Sequence, residues 1–206
     1  MPDKNSHAKF DPTEGNEERR KEYEFHDDVT PIVETPKGID EDIVRQISQL
    51  KGEPEWMLQL RLKGYKNFVE RPQPSFGPNL DFIKFQDYRY FTRYTKGVSK
   101  SWDDVPEAIK NTFKKLGIPE QEQKYLAGVN TQYESESVYS SMLKEVDEKG
   151  VIFCDTDTAL KKYPELVKKY FGTVIPFNDN KYAALNTAVW SGGIFIYVPK
   201  GVHVDK

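Results

Sequence analysis

One cysteine, Cys154, and three histidines, His7, His26 and His203, are the only thiolate or imidazole metal ligands in the 206-residue chain. Zinc and iron–sulfur sites draw several such ligands to one point. One thiol and three scattered imidazoles cannot make one, so a cluster held by this protein needs ligands from beyond these residues. Cys154 as a nucleophile would want an exposed, electropositive setting. It instead closes the apolar run Val151 to Phe153 and precedes Asp155 and Asp157, which raise its pKa, so the residues point to a structural cysteine. Glu134 and Glu136 could be drawn as an acid/base pair. Two carboxylates at a predicted helix start fit better as partners of the cap and the helix dipole. In "FIKFQDYRYFTRY", Phe82, Phe85, Tyr88, Tyr90, Phe91 and Tyr94 alternate with Lys84, Arg89 and Arg93, a pattern able to stack on bases. Asp81 and Asp87 interrupt it, and the segment reads instead as aromatic packing on neighbouring helices. No Ser/His/Asp set or clustered carboxylates suggest a hydrolase or lyase.

The composition agrees. The formal net charge is -3 and charged residues are 31% of the chain, so no broad basic surface advertises nucleic acid. Mean hydropathy is -0.74, and no apolar run approaches membrane-spanning length. The start, "MPDKNSHAKFDPTEG", lacks the apolar core of a signal peptide. The expectation is a soluble cytoplasmic protein, not an enzyme, with no nucleic acid or membrane partner.

Positioning elements follow from periodicity. Residues 1–37 are polar and mixed in charge and read as a flexible arm. In "KGIDEDIVRQISQLKG", Asp40 suits an N-cap, Ile39, Ile43, Ile47 and Leu50 form one helical face, and Gly52 ends the helix. A second helix starts at Pro54, with Leu58, Leu62, Tyr65 and Val69 as its stripe, widened by Trp56, Met57, Leu60 and Phe68, and stops at Pro72 and Pro74. A third carries Ile109, Phe113 and Leu116, ends at Gly117 and is blocked by Pro119. "YLAGVNTQYESESVYSSMLKEVDEKG" reads as an extended piece and then a helix bearing Val138, Met142 and Val146. "GVIFCDTDTALKKYPELVKKYFG" reads as a short buried strand, a turn and two helices broken at Pro164. Ala183 to Val189 suit a helical turn. Finally, "WSGGIFIYVPKGVHVDK" gives a strand over Ile194 to Val198, covered on both faces, and a further strand start. A hairpin by itself would not be stable, so more chain is expected to stack on it and the end at Lys206 to be a truncation.

The blocks "GEPEWMLQLRLKGY", "LGIPEQEQKYLAGVNTQYESESVY" and "GVIFCDTDTALKKYPELVKKYFGTVIPFNDNKYAALNTAVWSGGIFIYVPKGVHVD" occur in one register from about Ile39 to the last residue. Over that span the chain resembles the N-terminal portion of SufB, the scaffold of SUF iron–sulfur cluster assembly, within the SufB/SufD family. The resemblance implies an α+β fold: a helical N-terminal domain over 38–172, with its aromatic extended segment, followed by the first rungs of a right-handed parallel β-helix over 173–206. It implies partners: the ATPase SufC and SufD in a SufB–SufC–SufD complex, with a cysteine desulfurase and a sulfur-transfer protein supplying persulfide sulfur. It implies an iron–sulfur cluster as the product assembled, and reduced flavin in the complex. The family's sulfur-accepting and cluster-ligating residues have no counterpart in residues 1–206, and Cys154 lies in the "GVIFCD" block, which is not the sulfur acceptor. No catalytic, cofactor-binding or metal-binding residue is therefore assigned, and no cofactor is expected for this segment alone. The alternative is a truncated interaction module without cluster-assembly activity of its own.

Overall fold

The computed structural model describes residues 29–117, 128–142 and 144–204. His7, His26, Pro119, residues 1–28 of the arm and Lys206 lie outside the described residues. Helix α1 spans Glu41–Lys51. The Asp40 carboxylate accepts the Ile43 N–H at 2.8 Å, and Gly52, left-handed at φ 62°, closes the helix with its N–H on Gln49 O. Helix α2 spans Glu55–Glu70 and begins after Pro54.

The buried stripe of α2 is Met57, Arg61, Gly64 and Phe68. It lies one residue away from the expected Leu58–Leu62–Tyr65–Val69 line, and Val69 is exposed. Met57 and Phe68 belong to the widened stripe, and Leu62 and Tyr65 pack at its edge; the other two buried residues, an arginine and a glycine, look unsuited to a core and were not expected there. Each has a reason. At Gly64, a β-carbon would stand 2.9 Å from Ala184 O and 3.0 Å from Ala188 N. Those atoms belong to helix α7 (Lys181–Val189), whose Asn180 cap accepts the Tyr182 and Ala183 N–H groups. The two backbones meet at the glycine, and Ile39, Val44, Phe68, Ala184 and Ala188 form the core around that contact.

The aromatic segment packs against this core. Phe85 meets Phe68 edge-on at 4.9 Å between ring centroids. Phe91 is fully buried against Ile43 and Ile47, and the Tyr90 hydroxyl donates to Phe85 O. Strand β2 (Thr92–Arg93) follows and pairs antiparallel with β1 (Val33–Glu34). Residues 32–38 are tied along 88–93 through Ile32 N–H on Arg93 O, Thr35 N–H on Phe91 O and Gly38 N–H on Tyr88 O. Arg89 donates to Thr35 O and pairs with Glu34 at 3.2 Å.

Helix α3 (Glu107–Lys115) buries Ile109, which packs with Val105 and Val138. Val138 sits on a strand, where a helix was expected. Strands β3 (Gly128–Tyr133) and β4 (Glu136–Met142) form an antiparallel hairpin with a bulge between Thr131 and Gln132. Val138 and Met142 are four apart, and a spacing of four returns a side chain to the same face in strand and helix alike. The turn is Glu134–Ser135, with Glu134 left-handed at φ 53°. Val146 belongs to a separate short helix, α4 (Lys144–Asp147).

Strand β5 (Ile152–Asp155) pairs antiparallel with β6 (Ile194–Tyr197). Between them lie α5 (Thr156–Lys162) and α6 (Pro164–Tyr170), broken where Pro164 takes the first helical position. Met57, Leu160, Val167 and Trp190 form the core beneath this sheet, with Cys154 and Phe195 packed on it. Strand β6 alternates: Phe195 faces that core while Ile194 and Ile196 are exposed, so within the described residues it is covered on one face.

Candidate functional site

Two buried ion pairs meet beside Trp190, at the junction of α1, α2, α5 and the end of α7. Glu53 lies in the bend between α1 and α2, and Arg61 two turns into α2. Arg61 Nε and Nη2 donate to the two Glu53 carboxylate oxygens, each at 2.6 Å. Both side chains are essentially sealed from solvent, at 0% and 1% exposure. The remaining guanidinium protons reach Ala188 O at 3.0 Å and Trp190 O at 2.8 Å. These carbonyls close α7, so Arg61 serves as its C-terminal cap from another helix. Its guanidinium also lies 4.6 Å from the Trp190 ring centroid.

Lys51, in the last turn of α1, donates to Asp157 Oδ2 at 2.7 Å and to Ser191 O at 2.6 Å. Its ammonium stands 4.9 Å from the same indole ring. Burial lowers the Lys51 pKa, against the pull of Asp157. Burial likewise raises the Asp157 carboxyl, with Lys51 opposing and Glu136 and Asp155 adding to the rise. Asp155 caps α5 by accepting the Thr158 N–H at 2.8 Å and the Thr158 hydroxyl.

On the outer side of this pair opens a cleft of about 390 Å³, bordered by Leu50, Arg93, Lys96, Val98, Glu136 and Lys161 among others. Arg93 grips Glu136 with two 2.6 Å hydrogen bonds, and the bond to Glu136 raises the Arg93 pKa. Chemically, the junction locks helices, hairpin and strand into one frame. Lys51 is engaged with Asp157 and Arg61 with Glu53, and the Thr158 hydroxyl that meets the Asp155 carboxylate belongs to the cap of α5.

Of the residues singled out by sequence, Cys154 is half-buried on β5. Burial first, and Asp155 second, push its thiol up to about 11, with Lys162 opposing. Asp157, expected to contribute to that rise, is turned to Lys51 instead. Glu136 is Arg93's partner and Glu134 the hairpin turn, so they are not a carboxylate pair. The aromatic segment builds core and tethers, although Phe82 and Tyr88 remain exposed. His203 is exposed near the end of the described chain, and its carbonyl accepts Lys149 Nζ. Among the described residues, no three His, Cys, Asp or Glu side chains stand close enough to hold a metal ion, and no helix is long and apolar enough to cross a membrane. The two ion pairs went unread in the sequence. Arg61 interrupting an apolar stripe was an available signal, whereas Lys51 and Asp157 are 106 residues apart.

Comparison with known proteins places this frame. Residues 53–206 match the family model of the SufBD protein N-terminal region. An iron–sulfur cluster assembly SufBD family protein of Staphylococcus aureus strain USA300 is 57% identical over 183 residues, covering 89% of this chain and 39% of that protein. A protein of the same name from Staphylococcus saprophyticus is 54% identical over 198 residues, covering 96% of this chain and 42% of its own. The chain thus spans about two-fifths of the length of these relatives. On the family match and these identities, the chain belongs to the SufBD family and corresponds to its N-terminal region.

Proposed function

We propose that these residues are the N-terminal part of an iron–sulfur cluster assembly scaffold of the SufB type, working with SufC and SufD and receiving sulfur through a cysteine desulfurase and its transfer partner. The observation that carries this reading is the continuous match over residues 53–206 to the SufBD N-terminal region. The cluster is the cargo of the assembly. In this reading the segment contributes a rigid helical frame, stapled by the Glu53–Arg61 and Lys51–Asp157 pairs, and hands on to a β-helical core at about residue 173. Thiolate ligation falls to other parts of the polypeptide, since the sole cysteine here has its thiolate disfavoured.

The test is genetic and biochemical. The reading frame containing this segment is expressed in a bacterium depleted of its own SufB, and aconitase activity is measured. Restoration of activity, together with co-purification of SufC and SufD, is the expected result. Failure under conditions where an authentic SufB restores activity overturns the assignment to the SufB branch.

A further inference from the structure

Helices α2 and α7 lack something that every other described α-helix has, a basic residue in the last turn. Lys51 stands there in α1, Lys115 in α3, Lys144 in α4, Lys162 in α5 and Lys169 in α6. Helices α2 and α7 carry none, although a C-terminus gathers free carbonyls and the negative end of the helix dipole. Each of the two is closed by the other. Arg61 of α2 donates to Ala188 O and Trp190 O at the end of α7. Lys181, the first residue of α7, donates to Phe68 O at 2.6 Å and to Arg71 O at 2.8 Å, at the end of α2.

The Lys181 ammonium also lies 4.5 Å from the Phe68 ring centroid and 5.9 Å from that of Phe85. Burial lowers its pKa with no carboxylate opposing, so this cation is committed to carbonyls and ring faces. Between the two caps, Gly64 brings α2 onto the backbone of α7 at Ala184 and Ala188. The start of α7 thus meets the end of α2, and the end of α7 lies beside Arg61, so the helices run antiparallel. Unwinding the last turn of either helix has two consequences. It strips the partner's cation of its acceptors, and it pulls Phe68 or Ala188 out of the core they share.

We infer that α2 and α7 are an interlocked pair: each holds the cation that closes the other, and the two C-termini open together or not at all. The lock reaches beyond the helices themselves. Helix α7 runs through Trp190 and Ser191 toward β6, and Lys51 holds the Ser191 carbonyl. The entry of β6 therefore follows the state of α2 as well as that of α7.

Amide exchange followed by NMR in the 206-residue chain reads the two ends separately. The reporters are the Arg71 N–H on Asn67 O, closing α2, and the Trp190 N–H on Asn186 O, closing α7. Lys181→Met keeps a stem over the rings and removes only the donors that cap α2. Expected is exchange several-fold faster at Arg71 and, by a similar factor, at Trp190, with the amides of α3 unchanged. Glu53→Leu/Arg61→Met removes the other cap without stranding a buried charge, and should speed the same two amides alike. In the combined variant the two effects add at both amides, whereas independent ends would each register only their own cap. Three results would each overturn the inference. The first is acceleration at Arg71 alone in Lys181→Met, or at Trp190 alone in the double variant, since the ends then open separately. The second is equal acceleration in α3, which reduces the effect to a loss of global stability. The third is unchanged exchange at both ends in both variants, which shows that the borrowed cations do not hold them.

Discussion

Arg61 shows how a single side chain can decide whether three elements stay together. It is sealed from water, holds both oxygens of an equally buried Glu53, and caps two carbonyls at the end of α7. Removing one member of such a pair leaves an uncompensated buried charge, which costs about 3–5 kcal/mol. Arg61→Met is accordingly expected to destabilise by that amount in urea unfolding, a large fraction of a typical domain's stability. Glu53→Leu/Arg61→Met together is expected to cost clearly less than the two single changes summed, because it strands neither charge. Cys154 makes the opposite case at the same scale. Its thiol, held at about 11 against an ordinary 9.0, keeps its proton through the physiological range. Alkylation at pH 8 should run about a hundredfold slower in the folded chain than in the unfolded one, as judged by timed iodoacetamide labelling. The sign for stability follows. A folded pKa raised above the unfolded one gives a contribution present below about 9 and lost as pH rises through about 11. Cys154→Ser, which does not titrate there, should flatten that part of the stability profile.

At the scale of elements, the α2–α7 crossing depends on Gly64. A β-carbon there meets the α7 backbone at 2.9–3.0 Å, and backbone cannot swing aside as a side-chain tip can. Gly64→Ala gains helix propensity of about 1 kcal/mol, but overpacking typically costs 1–3 kcal/mol. A net loss of stability is expected, with a lowered melting temperature. A neutral or stabilising Gly64→Ala would show that the helices do not meet this closely. The same crossing marks how far the sequence could be read. Helix starts and stops at Asp40, Gly52, Pro54, Pro164 and Gly117 were legible, because caps and prolines act within a few residues. On α2, Met57 and Phe68 were legible as part of the widened stripe, whereas Arg61 and Gly64 were not, because they take their burial from α7, more than a hundred residues later in the chain. The β3–β4 hairpin was missed for another reason. Its turn is Glu134–Ser135, with no glycine or asparagine where the backbone turns left-handed, and Val138 and Met142 fit both periods. The tether of residues 32–38 along 88–93 was likewise invisible locally, since backbone hydrogen bonds leave no mark on composition.

At the scale of the whole molecule, what the described residues show is how distant segments are joined. Beside Trp190, Lys51 joins Asp157 across 106 residues, and Arg61, paired with nearby Glu53, reaches the Ala188 and Trp190 carbonyls more than a hundred residues later. Of the candidate site, the count of one cysteine and three histidines gave only the expectation that cluster ligands lie outside these residues, as the resemblance to the SufB/SufD family implies. It did not reveal the Lys51–Asp157 staple or the cleft beside it, because both are made by folding. The central proposal is that this segment serves as a structural frame while the cluster is held by residues other than these. Anaerobic reconstitution of the 206-residue chain with iron and sulfide tests it most directly, with bound iron and acid-labile sulfide counted per chain after desalting. The account requires no retained stoichiometric cluster and no visible charge-transfer absorption. A stable cluster at one per chain, abolished by Cys154→Ala, would contradict it.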